Sequence, residues 1–158
     1  MKQPGIRPAT LEDVLYLAPR LRQADKDEIQ AVTGAHPALV LPQCFKLTRT
    51  AWTCTGMSGE PVGLIGIQDV EGIPELGWVW ALFTDVLEKY PFTFLRLSRQ
   101  YHDIMHLHHP VVTNHVDERN IVHIRWLRWM GFSFLRRIER WGAESRPFLE
   151  FGKLQKCA

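Results

Sequence analysis

The chain has 158 residues, 46% of them hydrophobic, which suits one domain around one sizeable core and excludes a disordered chain. A net charge of +2, with 23% charged residues, gives bulk electrostatics no hold on nucleic acid. Residues 1–5 lack the apolar run of a signal peptide and no apolar segment reaches membrane-spanning length, so a soluble intracellular protein is expected.

Taken in order, residues 6–7 read as a short strand. Thr10 is placed to cap a helix with Asp13 at its third position, and Leu11, Val14, Leu15, Leu17 and Ala18 are expected on its buried face. Pro19 predicts a kink or break near Ala18. Residues 20–32 read as a second helical piece, with Leu21, Ala24 and Ile29 as its apolar positions. Residues 38–45 read as a short helix followed by a linker. Residues 50–57 alternate as a strand, Ser58-Gly59-Glu60-Pro61 is a hairpin turn, and residues 62–68 are the returning strand. The glycines of that strand point to a bulge or close packing. Residues 75–84 form a fourth strand, in which Trp78 and Trp80 are core or pocket wall. Residues 85–90 are a loop. Pro91 opens a long helix in which Phe94, Leu97, Tyr101, Ile104 and His108 recur at three and four. Cys44, Cys54 and Cys157 are an odd set without metal spacing, and read as free thiols in a reducing cytosol.

Pro110-Val111-Val112 suits a buried fifth strand. Asp117 is placed to cap the next helix, with Glu118 in its first turn. Ile124, Leu127 and Met130 recur at helical spacing beside Trp126, and Arg125 and Arg128 fall on a different side. Gly131 stands where a left-handed C-cap is needed. Residues 132–135 begin the sixth strand, and residues 148–151 pair back as the seventh after a long turn. No repeat, low-complexity run or linker divides the chain, so residues 1–158 read as one domain.

Asn120 followed eleven residues later by Gly131-Phe132 resembles the last signature block of the GCN5-related N-acetyltransferase (GNAT) fold. The predicted element order matches that fold's order. The resemblance implies an α/β (α+β) domain with a mixed, mostly antiparallel seven-stranded sheet, strands four and five parallel and splayed, and about four helices. Leu21-Arg22-Gln23-Ala24-Asp25, Asp27-Glu28-Ile29 and residues 94–99 and 124–132 are also similar to small acetyltransferase-like or internal virion proteins of tailed, T7-like bacteriophages. That second resemblance implies action in the host cytoplasm, association with the virion, and a host bacterial protein as partner.

The fold resemblance further implies acetyl-coenzyme A (acetyl-CoA) between the splayed strands. Leu82, Phe83 and Thr84 would offer backbone to its pantetheine arm, Asn120 would reach it from the helix that follows strand five, and Lys89 would offset the phosphates' charge. Asn120 reads equally as a helix-start residue satisfying local backbone. The sequence departs from the family twice. The phosphate turn, residues 84–91, has no glycine and carries Asp85 and Glu88. Leu127 stands seven residues after Asn120, where many relatives place a proton-donating Tyr. Glu75, at the start of strand four, is a candidate general base or else a solvated turn residue. His123 is the second catalytic candidate, or else a satisfied core histidine. His102 and His106 have zinc-compatible spacing without a third ligand nearby, so no metal is expected. Arg136, Arg137 and Arg140, interrupted by Glu139, read as a solvated edge and not a nucleic-acid patch. Two functions follow. One is an acetyl-CoA-dependent N-acetyltransferase acting on an amine of a host protein or small molecule. The other is a catalytically degenerate scaffold that binds a host protein or assists virion assembly. Exposed apolar surface would support self-association.

Overall fold

The structure is a computed structural model and describes residues 3–156. The chain begins with β1 (Gly5–Pro8), α1 (Leu11–Leu17), a 3-10 turn (Ala18–Arg20), α2 (Gln23–Thr33) and α3 (Pro37–Leu47). Next come β2 (Thr50–Thr55), β3 (Pro61–Val70), β4 (Ile73–Phe83), the one-turn α4 (Val86–Lys89) and α5 (Pro91–Met105). It ends with β5 (Val111–Asp117), α6 (Ile121–Trp129), β6 (Ser133–Trp141) and β7 (Arg146–Leu154).

Local chemistry sets several of these boundaries. Thr10 and Asp13 form a reciprocal capping box at α1: Thr10 Oγ1 accepts from the Asp13 amide and Asp13 Oδ2 from the Thr10 amide. Asp13 also accepts two bonds from Arg7 and one from Thr53, which ties α1 to β1 and β2. Pro19 removes an amide where α1 would continue, and the chain tightens into the 3-10 turn. Gly131 takes φ +84° and ends α6, as its position predicts.

One mixed sheet of seven strands runs in the order β1-β2-β3-β4-β5-β7-β6. Every neighbouring pair is antiparallel except β4 and β5. These two pair only at Leu76–Val111, Gly77–Val112 and Trp78–Thr113, and then diverge. The sheet separates two cores. Val79, Ala81 and Phe83 of β4 join the core under α5 and α6, while Trp80 and Leu82 pack against the core under α1 and α3. This is the α/β architecture expected, with the parallel pair splayed.

Several local expectations need correction. α2 starts at Gln23 and not at residue 20, because Leu21 bridges to Thr84 and its backbone is extended. Leu47 is helical and not linker, and β2 ends at Thr55. The predicted loop at residues 85–90 contains α4, and α5 stops before His108. Asp117 does not cap α6: it is the last residue of β5, and its carboxylate accepts from the Arg119 amide and side chain. Glu118 lies outside that helix and pairs with Arg137. Trp78 is 43% exposed and walls no core. Cys44 and Cys54 are free thiols, and Cys157 lies outside the described residues. No helix among the described residues is long and apolar enough to cross a membrane.

Candidate active site

Where β4 and β5 part, their facing backbone groups must find other partners. At the base of the opening, Asn114 Nδ2 donates to the Val79 carbonyl at 2.9 Å. At its top, α2 spans the two strands. The Arg22 amide donates to the Phe83 carbonyl at 2.8 Å, and Asp25 Oδ2 accepts from the Phe83 amide at 2.9 Å. At the far end, Glu28 Oε2 accepts from the Asp117 amide at 3.1 Å. Arg22, Asp25 and Glu28 are three residues apart and so share one side of this stretch of chain.

Asn120 closes this network. Its Nδ2 donates to Asp25 Oδ1 at 3.3 Å and to Glu28 Oε2 at 3.1 Å. The Arg22 guanidinium pairs with Asp25 at 2.6 Å, and both side chains are buried. A buried pair of this kind tolerates removal of neither partner.

Two cavities meet at the opening. The one under α6, about 40 Å³, is walled by Ala81, Tyr101, His123, Trp126 and Leu127 among others. The one between α2 and α3 is about 190 Å³. Glu28, Trp80, Asn114 and His115 line both, so the two cavities share a wall at the sheet.

Burial dominates the electrostatics here. It pushes the Glu28 carboxyl up to about 8; the neighbouring charges of Asp25 and Asp117 add to this, and the bonds from Asn120 and the Asp117 amide oppose it. Burial pushes His123 down to about 4 and lowers His115 also, so both rings are neutral at pH 7. His115 stacks on Trp141 with ring centroids 3.9 Å apart. Tyr101 keeps its proton because burial raises its hydroxyl, which donates to the Trp80 carbonyl at 3.3 Å.

Backbone direction decides which β4 amides face the opening. The Thr84 amide donates to Val62 of the β3 segment at 2.9 Å, and the Phe83 amide turns the other way, to Asp25. By strand alternation Leu82 also faces β3, where it opposes Leu64, and the Ala81 N–H points into the opening. Of the three backbone positions expected there, Leu82 and Thr84 therefore face β3, and Phe83 is already bonded. Lys89 is exposed on α4. His123 lies in the wall of the cavity under α6, beside the apolar Leu127. Glu75 is exposed below the paired segment of β4 and β5, at the closed end, because the strands part only after Trp78.

Sequence reasoning missed Glu28, Ala81, Tyr101 and His115. Only Glu28 left a usable signal: charged residues recur at 22, 25 and 28, on a helix without a continuous apolar stripe. Between α5 and α6, Trp126 Nε1 donates to Ser98 Oγ at 2.8 Å, and its ring sits against Phe83, Phe94 and Tyr101. His102 and His106 sit with ring centroids 5.7 Å apart, and no group of three metal-ligating side chains is assembled among the described residues.

No protein-family model and no curated protein matches this sequence. Solved structures match it in fold. Ard1 from Thermoplasma volcanium superposes with a TM-score of 0.75 at 14% identity, over 99% of this chain and 100% of that one. An acetyltransferase of the GNAT family from Streptococcus pneumoniae gives 0.65 at 14% identity, over 96% and 99%. Spermidine N-acetyltransferase from Vibrio cholerae, in complex with CoA and spermine, gives 0.69 at 12% identity, over 97% and 96%. At such identities the likeness establishes the fold, which is GNAT-like.

Proposed function

We propose that this chain is an acetyl-CoA-dependent N-acetyltransferase whose chemistry takes place where β4 and β5 part, with Glu28 as general base. One observation carries the reading: a carboxyl held near pKa 8 lines the same cavity as the inward-facing Ala81. Perturbed groups of this kind concentrate at functional sites.

The residues suit the acyl end of the cofactor. When bound, acetyl-CoA would supply the activated acyl carbon. The Ala81 N–H would donate to the acyl oxygen as negative charge develops there. Glu28, ionised above about pH 8, would take the proton of the acceptor's ammonium group, so turnover should rise with pH through that value. An ordinary glutamate near 4.3 is a poor match for an amine near 10, and a Glu28 near 8 narrows that gap. Tyr101 carries the hydroxyl on this cavity wall, but burial holds its proton and it already donates to the Trp80 carbonyl, so with Leu127 unable to donate, the departing sulfur would take its proton from solvent. His123, neutral, shapes the wall and keeps it free of positive charge.

The pantetheine end suits the cofactor less well. Phe83 is already bonded through both its N–H and C=O, and Glu88 in the glycine-free turn lies 3.7 Å from Arg22. Loading therefore requires the start of α2 to release Phe83. The test is calorimetric titration with acetyl-CoA, followed by transfer assays of the wild type and Glu28→Gln. Binding is expected, with turnover falling about 10²- to 10⁴-fold in the variant. Neither heat nor thermal shift at millimolar acetyl-CoA would overturn the reading.

The closed contacts at Phe83 and Trp126 favour a second reading, a scaffold without turnover that binds a host bacterial protein or assists virion assembly. It draws its partner and its place, the host cytoplasm or the virion, from the phage-protein resemblance. Affinity capture from a bacterial lysate tests it; measurable transferase turnover with no captured protein would end it.

A further inference from the structure

We infer that the acceptor is a small amine with one ammonium group on a compact apolar body, seated in the groove between α2 and α3. The chemistry rests on the transferase reading above, whereas the groove's selectivity can be measured without it.

The groove adjoins the reacting cavity, because Glu28 and Trp80 line both. Its remaining walls are mostly apolar: Ile29 and Val32 from α2, Val40 and Leu41 from α3, and Leu82 from the sheet. Among its lining residues Glu28 is the only carboxylate, and none is Lys or Arg. One ammonium can therefore be paired at the inner end where Glu28 is ionised, above about pH 8. A second, as in a polyamine, would be desolvated against apolar walls without a partner. A free amino acid's carboxylate would find no cation. Size narrows the class further. At about 190 Å³ the groove falls below the ~300 Å³ of pockets for drug-sized ligands. An enclosed cavity of ~150 Å³ accepts benzene, so the groove suits a body the size of a phenyl or isobutyl group. The Trp80 ring offers such a body a flat apolar surface.

The test uses the full chain without cofactor and titrates 2-phenylethylamine, isoamylamine, spermidine and lysine by NMR shift perturbation. The two apolar amines should bind at least about tenfold more tightly than spermidine or lysine. Cys44→Trp, from an exposed position on α3 that lines the groove, should weaken phenylethylamine by about tenfold or more at unchanged melting temperature. Val32→Asp adds a second carboxylate and should move the preference toward 1,4-diaminobutane. Equal or tighter binding of spermidine or lysine, no binding of phenylethylamine, or indifference to both substitutions overturns the inference. Acetyl transfer to spermidine but not to phenylethylamine would sink this inference and leave the transferase reading standing. Selective binding of phenylethylamine that is never acetylated would do the reverse.

Discussion

Glu28→Gln keeps a side-chain oxygen for the Asp117 amide and Asn120 Nδ2, and removes the titration. An unfolded glutamate releases its proton near 4.5, whereas Glu28 in the folded chain releases it near 8. Between these values the folded chain holds a proton that the unfolded chain has lost, so stability falls as pH rises. The penalty is absent below the lower value and complete above the upper one. At ~1.36 kcal/mol per pH unit the interval corresponds to about 5 kcal/mol. Partial exposure at the cavity mouth lets solvent screen the group, which brings the working figure to about 2–3 kcal/mol. For a chain of this size that is a gain of roughly 5–10 °C in melting temperature for the variant at alkaline pH. Thermal unfolding followed by circular dichroism from acid to alkaline pH is the assay. The two proteins should melt together near the lower value and separate above the upper one, with the variant the more stable. Parallel profiles, or a variant that melts lower at alkaline pH, would show that the carboxyl is ionised and well paired, and the proposed base would be lost.

Asp13→Asn should cost about 1–3 kcal/mol in urea unfolding at neutral pH, because it removes the charge of a two-bond ion pair with Arg7 and leaves one oxygen for the Thr10 amide. The pair with Arg7 holds that carboxyl well below the ordinary carboxylate range, so its stabilising effect should fade as pH drops through and below that range, and the variant should not show this acid dependence. Gly66→Ala puts a Cβ 2.3 Å from the Trp80 ring, which must shift; a loss of about 1–3 kcal/mol and an altered near-ultraviolet spectrum are expected. Trp126→Ala should cost about 3–5 kcal/mol in urea unfolding, because it removes a buried ring packed on Phe94 and Tyr101 and the bond to Ser98 Oγ.

Much of the framework could be read from local chemistry. Thr10-x-x-Asp13, Pro19 and Gly131 each impose one backbone outcome, and each outcome is present. The splayed parallel pair followed from the resemblance around Asn120. The site was far less legible. Hydropathy assigns Arg22, Asp25 and Glu28 to solvent, yet two of them are buried by pairing with each other and with Phe83 and Asn120, contacts between residues up to 98 positions apart. Which amides of β4 are free depends on the phase of its pairing with β3, and a one-residue change of phase would exchange Ala81 for Leu82. Which of the two readings of Glu75 applies turns on a related point: sequence locates a strand, but not the point along it where the partner leaves, and Glu75 lies exposed before that point.

Both ends of the sheet bear on how the protein behaves at high concentration. β1 is four residues long and finishes at a proline, which can donate no ladder bond. On the far side, β6 carries Arg136 paired with Glu150, and Arg137 paired with Glu118 and Glu139. Charged side chains along that edge disfavour a second molecule extending the sheet there, as the short, proline-ended β1 does at the other margin.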